Sequence, residues 1–130
     1  MIKGNLPLVY SCSGCSSAAQ TANMIAIKMD REQIAEMSCI AGVGGDVKPL
    51  VRTAKSGREI IAIDGCPLSC CKSSLARHEV QPKHHFVLSD FDVPKMNGID
   101  PDPVQSMDVY KRVLELVRKK DNHHTEIILF

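Results

Sequence analysis

Short apolar runs alternate with amphipathic stretches along this chain, and that alternation constrains the fold more than any other feature. Strands separated by helical segments build βαβ units, whose crossovers make neighbouring strands run parallel. The first run is Leu6-Pro7-Leu8-Val9-Tyr10, and it leads directly into Ser11-Cys12-Ser13-Gly14-Cys15. A helix is expected from Ser17, with Gln20 three residues on as a capping box. Its apolar stripe is Ala18, Ala22, Ile25 and Met29, which recur at helical spacing. A short second strand is expected around residues 36–40, ending at Cys39. Gly42-Val43-Gly44-Gly45 then reads as a flexible loop. Asp46 reads as the cap of a helix carrying Val47, Leu50, Val51 and Ala54, with Gly57 as the stop.

The third strand, Glu59-Ile60-Ile61-Ala62-Ile63, is almost continuously apolar, as a strand covered on both faces should be. It delivers Asp64-Gly65-Cys66, and Pro67 suits the first position of a helix running through Cys70, Cys71 and Leu75 to about His78. The fourth strand is His85-Phe86-Val87-Leu88, followed by a loop over residues 91–101 that reads as a lid or a mobile connection. Asp102-Pro103 opens the last helix, with Gln105 as a second box. Its stripe is Met107, Tyr110, Leu114 and Val117, and Arg118-Lys119-Lys120 suits a helix C-terminus. Residues 126–130 read as a fifth or edge strand. The expectation is one domain over residues 1–130: a three-layer, doubly wound α/β domain with a mostly parallel sheet of four or five strands.

A chain of 130 residues has the size of one domain, and 44% apolar with 24% charged residues excludes disorder. The formal net charge of +1 argues against nucleic acid as a partner. Aromatic residues make up 4% with no Trp, which argues against stacking on single strands. No apolar run approaches the roughly 20 residues of a membrane helix, so no membrane role is expected. Met1-Ile2-Lys3-Gly4-Asn5-Leu6-Pro7 lacks the pattern of a signal peptide. The expected compartment is therefore the cytoplasm, where thiols stay reduced and clustered cysteines serve metal or redox chemistry.

The cysteines are six: Cys12, Cys15, Cys39, Cys66, Cys70 and Cys71. Ligands of open parallel sheets bind where the strands' carboxyl ends gather the βα loops. Cys12 and Cys15 follow the first strand, Cys39 ends the second, and Cys66 and Cys70 follow the third. If the central strand order is 2-1-3, these five thiols share one edge. Cys66 as a cap and Cys70 one turn on would share a helix face, about 5–6 Å apart at Cβ. Cys12-x-x-Cys15 is the common two-ligand hairpin of thiolate sites. Helix N-termini and Lys72 would favour thiolate over thiol there. Soft sulfur donors favour zinc, with iron–sulfur and Cu(I) behind it.

Three segments carry a resemblance. Tyr10-Ser11-Cys12-Ser13-Gly14-Cys15-Ser16, Met37-Ser38-Cys39-Ile40-Ala41-Gly42 and Ile63-Asp64-Gly65-Cys66-Pro67-Leu68-Ser69-Cys70-Cys71-Lys72 resemble the DGC-domain family, named for the motif seen here at Asp64-Gly65-Cys66. The resemblance spans roughly residues 6–88. It implies zinc as cofactor, held by four chelating cysteines that correspond to Cys12, Cys39, Cys66 and Cys70, with Cys15 replacing Cys12, joining it or staying free. It implies no reaction.

Other residues near the site have plainer readings. Cys71 lies four residues before Leu75 on an apolar face and reads as core. His84-His85 and His123-His124 read as solvated or strand-end residues. Gly42-Val43-Gly44-Gly45 lacks the Lys-Ser/Thr of a phosphate loop. Asp64 and Asp90 read as hydrogen-bond acceptors near the site, as a general base, or as turn and loop residues. The leading expectation is a cytoplasmic zinc-binding protein that senses, stores or delivers metal. The alternatives are a thiol-disulfide oxidoreductase using Cys12 and Cys15, or an iron–sulfur protein on the same ligands.

Overall fold

The computed structural model describes residues 5–129, with side chains described as far as Lys119. Four strands, β1 (Leu8–Ser11), β2 (Glu36–Met37), β3 (Ile60–Asp64) and β4 (His84–Val87), form an all-parallel sheet in the order β2-β1-β3-β4. Helices α1 (Ser17–Arg31), α2 (Ile40–Gly44), α3 (Lys48–Ala54), α4 (Cys70–Ala76) and α5 (Pro103–Leu129) cover both faces, which makes the expected three-layer α/β domain.

Alternation along the strands builds the layers. Val9, Ile61 and Ile63 point to the side of α1 and α5, where they meet Ala22, Ile25, Met29, Val109 and Val113. Leu8, Tyr10, Ile60 and Ala62 point the other way and pack with Val43, Ala54, Cys71 and Leu75 of α2, α3 and α4. β3 is buried at every position, so its side chains on both faces must be apolar until it reaches Asp64. Cys71 belongs to this core, as its spacing suggested.

The ends of the elements differ from the sequence reading, each for a local reason. α1 is capped by Ser16, whose Oγ accepts from the Ala19 amide at 3.1 Å, so no box forms between Ser17 and Gln20. Gln20 Nε2 instead donates to the Gly14 carbonyl at 2.7 Å. β2 stops at Met37, and Cys39 caps α2 rather than ending the strand. The glycine-rich segment is therefore helical, not a loop. A Cβ on Gly42 would stand 2.0 Å from Leu50 Cδ1, so the missing side chain lets α2 pack against α3. Val47 replaces Asp46 as the cap of α3, and the Asp46 carboxylate pairs with Arg77 and His78, which follow the end of α4.

α5 begins at Pro103 with Asp102 Oδ1 accepting from the amides of Val104 and Gln105. No second box forms, because Gln105 Nε2 reaches the Asp92 carbonyl. The buried stripe is Val109, Tyr110, Val113 and Val117, while Met107 is 40% exposed. Residues 126–129 continue the helix instead of forming a strand, which leaves Arg118-Lys119-Lys120 inside α5 rather than at its end. Phe130 lies outside the described residues. Among the described residues no helix is long and apolar enough to cross a membrane.

Candidate functional site

The order β2-β1-β3 places the turns after β1 and β3 side by side, at the point where successive connections leave in opposite directions. Crevices of this kind are where open α/β sheets bind ligands. The Cys12 amide continues the sheet pairing by donating to the Ile63 carbonyl at 3.0 Å, so Cys12 is fixed against the end of β3. Its sulfur accepts from the Gly65 amide at 3.1 Å. Gly65 tolerates no side chain there, since a Cβ would lie 2.7–2.8 Å from the backbone of Ala18 and Ala19. The turn after β3 is thus pressed onto the start of α1, and that contact aims the Gly65 N–H at Cys12.

Asp64 organises the other side. It is 1% exposed, and Oδ1 accepts from the Cys71 amide at 2.7 Å while Oδ2 accepts from the Lys72 amide at 3.2 Å. The carboxylate thereby satisfies free N–H groups at the start of α4 and favours the positive end of the helix. Oδ2 also lies 2.8 Å from His85 Nε2 on β4. This cap starts α4 at Cys70, one turn later than Pro67 suggested. Residues 66–69 form a turn, with the Ser69 amide donating to the Cys66 carbonyl at 3.1 Å and Ser69 at φ 52. Cys66 and Cys70 therefore do not share a helix face. Cys66 sits in the turn, half-buried, and Cys70 opens the helix, exposed.

Burial pushes the Cys12 thiol up to about 11. The Gly65 amide opposes that rise, and the Asp64 carboxylate and the sulfurs of Cys70 and Cys66 add to it. Those three groups therefore lie within electrostatic reach of Cys12. The two remaining thiols face elsewhere. Cys15 is exposed and directs its sulfur to Asn97 Oδ1 at 3.8 Å. Cys39 is exposed on a cleft of about 400 Å³ that Ser11, Ser13, Asn23, Arg31 and Ser38 also line.

The loop over residues 91–101 is tied down where it crosses the site. The Ser17 amide donates to the Met96 carbonyl at 2.8 Å, and Ser17 Oγ joins the Met96 amide and the Pro94 carbonyl, each at 3.1 Å. Ser16 and Asn97 form an antiparallel bridge. This strap carries Lys95 to the cluster, where Nζ donates to Cys66 Sγ at 3.5 Å. Lys95 and Asn97 escaped sequence reasoning because only the tertiary path of the loop brings them there. His84 and His85 open β4, as a strand-end reading expects, but neither is solvated: His84 is buried, and half-buried His85 reaches the Asp64 carboxylate, 21 positions away in the chain. Asp90 is exposed in the 3-10 turn Leu88–Phe91. The side chains of His123 and His124 lie outside the described residues.

The chemistry of the donors fits a soft cation: sulfurs from separate loops, one of them holding a backbone N–H as thiolate ligands do. Their spacing is a different matter. Among the described residues, no three Cys, His, Asp or Glu side chains stand close enough together to hold a metal ion.

The DGC domain matches residues 8–113 of the chain. The protein called Anaerobic and virulence modulator AnvM, from Pseudomonas aeruginosa, is 56% identical over 113 residues, which cover 87% of this chain and 84% of that protein. No solved structure matches the chain.

Proposed function

Since the chain belongs to the DGC domain family, we propose that it is a zinc-binding protein of the cytoplasm, working through the thiols at the carboxyl edge of its sheet in metal sensing, storage or delivery. The observation that carries this reading is the seat of Cys12: its sulfur accepts the Gly65 N–H, with Cys66 and Cys70 within electrostatic reach. An N–H donor favours the thiolate that zinc requires. Cys12, Cys66 and Cys70 are the core of the ligand set, with Cys39 or Cys15 supplying the fourth sulfur. Cys39 and Cys70 are exposed, so an ion arriving from solvent can reach both thiols. When bound, zinc would supply an exchangeable thiolate centre. The protein's part is to hold the sulfurs and to limit water around Cys12.

Two core faces are filled without any metal, so the domain has the apolar burial to fold by itself. Such a site can gain and lose its ion without unfolding, which suits sensing or delivery. The name of the Pseudomonas relative describes a modulator, and that description accords with a sensing role.

Elemental analysis of protein purified without chelator tests the reading. About one equivalent of zinc is expected, falling by more than half in Cys12→Ser with the fold retained by circular dichroism. Less than about a tenth of an equivalent of any transition metal would overturn the proposal, and iron with visible absorbance would replace it with an iron–sulfur protein.

A further inference from the structure

We propose that the cleft beside Cys39 is a binding site for a small peptide-type disulfide bearing carboxylates, which Cys39 takes up as a mixed disulfide. The cleft encloses about 400 Å³ where β1 and β2 end, the edge at which open α/β sheets take their ligands. Small-molecule sites run from about 300 to 1,000 Å³, so the guest is small. The polar walls present donors, because their acceptors are already engaged. Asn23 Oδ1 accepts from the buried Ser11 hydroxyl at 3.4 Å, which leaves the Asn23 amide hydrogens to a guest. Asp30 Oδ1 accepts from the Met37 amide at 2.9 Å, and Oδ2 from Arg31 Nη1 at 2.5 Å. Arg31 itself is 70% exposed, and its Nε and Nη2 meet no partner among the described residues. Beside Ser38, another residue of the cleft wall, the Tyr10 hydroxyl is buried with no hydrogen-bond partner, an unmet group of the kind that a bound polar molecule answers. Such a donor-rich cleft selects carboxylates and amide carbonyls, the acceptors that a small peptide carries. The thiol sets the reactive end: Cys39 is exposed on the cleft, and its sulfur has no hydrogen-bond partner among the described residues.

The step is thiol–disulfide exchange. The Cys39 thiolate attacks one sulfur of the bound disulfide, the S–S bond of the disulfide breaks, and a new S–S bond joins Cys39 to the half attacked. The other half leaves as a thiolate and takes a proton from solvent. Cys39 is oxidised and the departing half is reduced, so the disulfide is the only oxidant required. Arg31 and Asn23 hold the carboxylate and carbonyl groups of the half that stays. The inference does not rest on the metal reading, although a mixed disulfide at Cys39 would withdraw that thiol from any ligand set.

Reduced, chelator-treated protein is offered either oxidised glutathione, whose halves carry carboxylates, or hydroxyethyl disulfide, which is neutral. Adducts at each cysteine are followed over time by peptide mass mapping, and the rate with the first reagent is divided by the rate with the second. Both reagents meet the same thiolate, so the quotient cancels its population and reports recognition of the incoming disulfide. At Cys39 the quotient should stand at least about threefold above its value at Cys15 and Cys70, which are exposed but do not line the cleft. Arg31 lies exposed in the last turn of α1, so its substitution spares the core. Arg31→Met should lower the quotient about threefold at Cys39 and leave it constant at Cys15, and Arg31→Lys should restore most of it. Since Arg31→Met also frees the Asp30 charge, the double variant Asp30→Asn/Arg31→Met keeps the net charge of the pair and should show the same loss. No adduct at Cys39, or a quotient there no higher than at Cys15 and Cys70, overturns the proposal. So does a raised quotient that both Arg31→Met and the double variant leave unchanged. The zinc content of untreated protein bears on neither readout, so the metal reading stands or falls separately.

Discussion

At the scale of single residues, Asp64 does the most to shape the site. One buried carboxylate starts α4 at Cys70, reaches His85 on the neighbouring strand, and leaves residues 66–69 as a turn that brings Cys66 beneath Lys95. Removing it leaves amides of α4 and a histidine without their acceptor in a nearly closed space. Asp64→Ala should therefore cost about 2–4 kcal/mol in a urea or guanidinium unfolding curve. A loss below about 0.5 kcal/mol would show that Asp64 is not the cap described here. His85→Ala leaves both helix amides bonded and should cost clearly less. The sequence placed Asp64 at the right edge and offered several roles for it. It could not choose among them, because its partners come from two other elements, α4 and β4.

At the scale of elements, the apolar periods of α1 and β3 were legible from the sequence and the phase of α5 was not. Ala18, Ala22, Ile25 and Met29 are all buried on α1, as their spacing required. On α5 the apolar residues spread over more than one stripe, and the surface of α1 and the sheet selects which one is covered. Val109 and Val113 mark the choice, both buried against α1 and the sheet, while Tyr110 belongs to either stripe and bonds Glu32 through its hydroxyl. Val113→Ala should therefore cost about 1–3 kcal/mol, while Met107→Lys stays within about 0.5 kcal/mol by thermal or chemical unfolding. The opposite order would return Met107 to the core. The glycine-rich segment was misread for a related reason. Glycine lowers helix propensity in isolation, but at Gly42 the absent Cβ is what permits the close contact of α2 with α3.

At the scale of the whole molecule, both tyrosines report the folded state. Burial raises Tyr10 above its ordinary value. Burial and, next, the bond to Glu32 raise Tyr110, while that same bond lowers Glu32. A group whose folded value lies above its unfolded value stabilises the fold fully below the unfolded value. That contribution is lost as pH rises towards the folded value. Stability should therefore decline above about pH 10, and tyrosinate absorbance should rise only above that ordinary phenol value, or abruptly with unfolding. A normal titration centred near pH 10 in the folded protein would contradict the packing of both rings. Glu32→Gln should bring the Tyr110 transition down and leave Tyr10 where it is.

The sequence alone determined the parallel α/β class, the approximate places of four strands and the βα turns that carry the cysteines. These follow from periodicities and from the rule that βα turns gather at the strands' carboxyl ends, both of which are local or topological. The tertiary structure decided what each cysteine faces. Cys12 meets the Gly65 amide, Cys66 meets Lys95, Cys15 meets Asn97, and Cys39 opens onto a cleft. A side chain's partners depend on how separate layers settle against one another over a few ångströms, and no spacing along the chain encodes that fit.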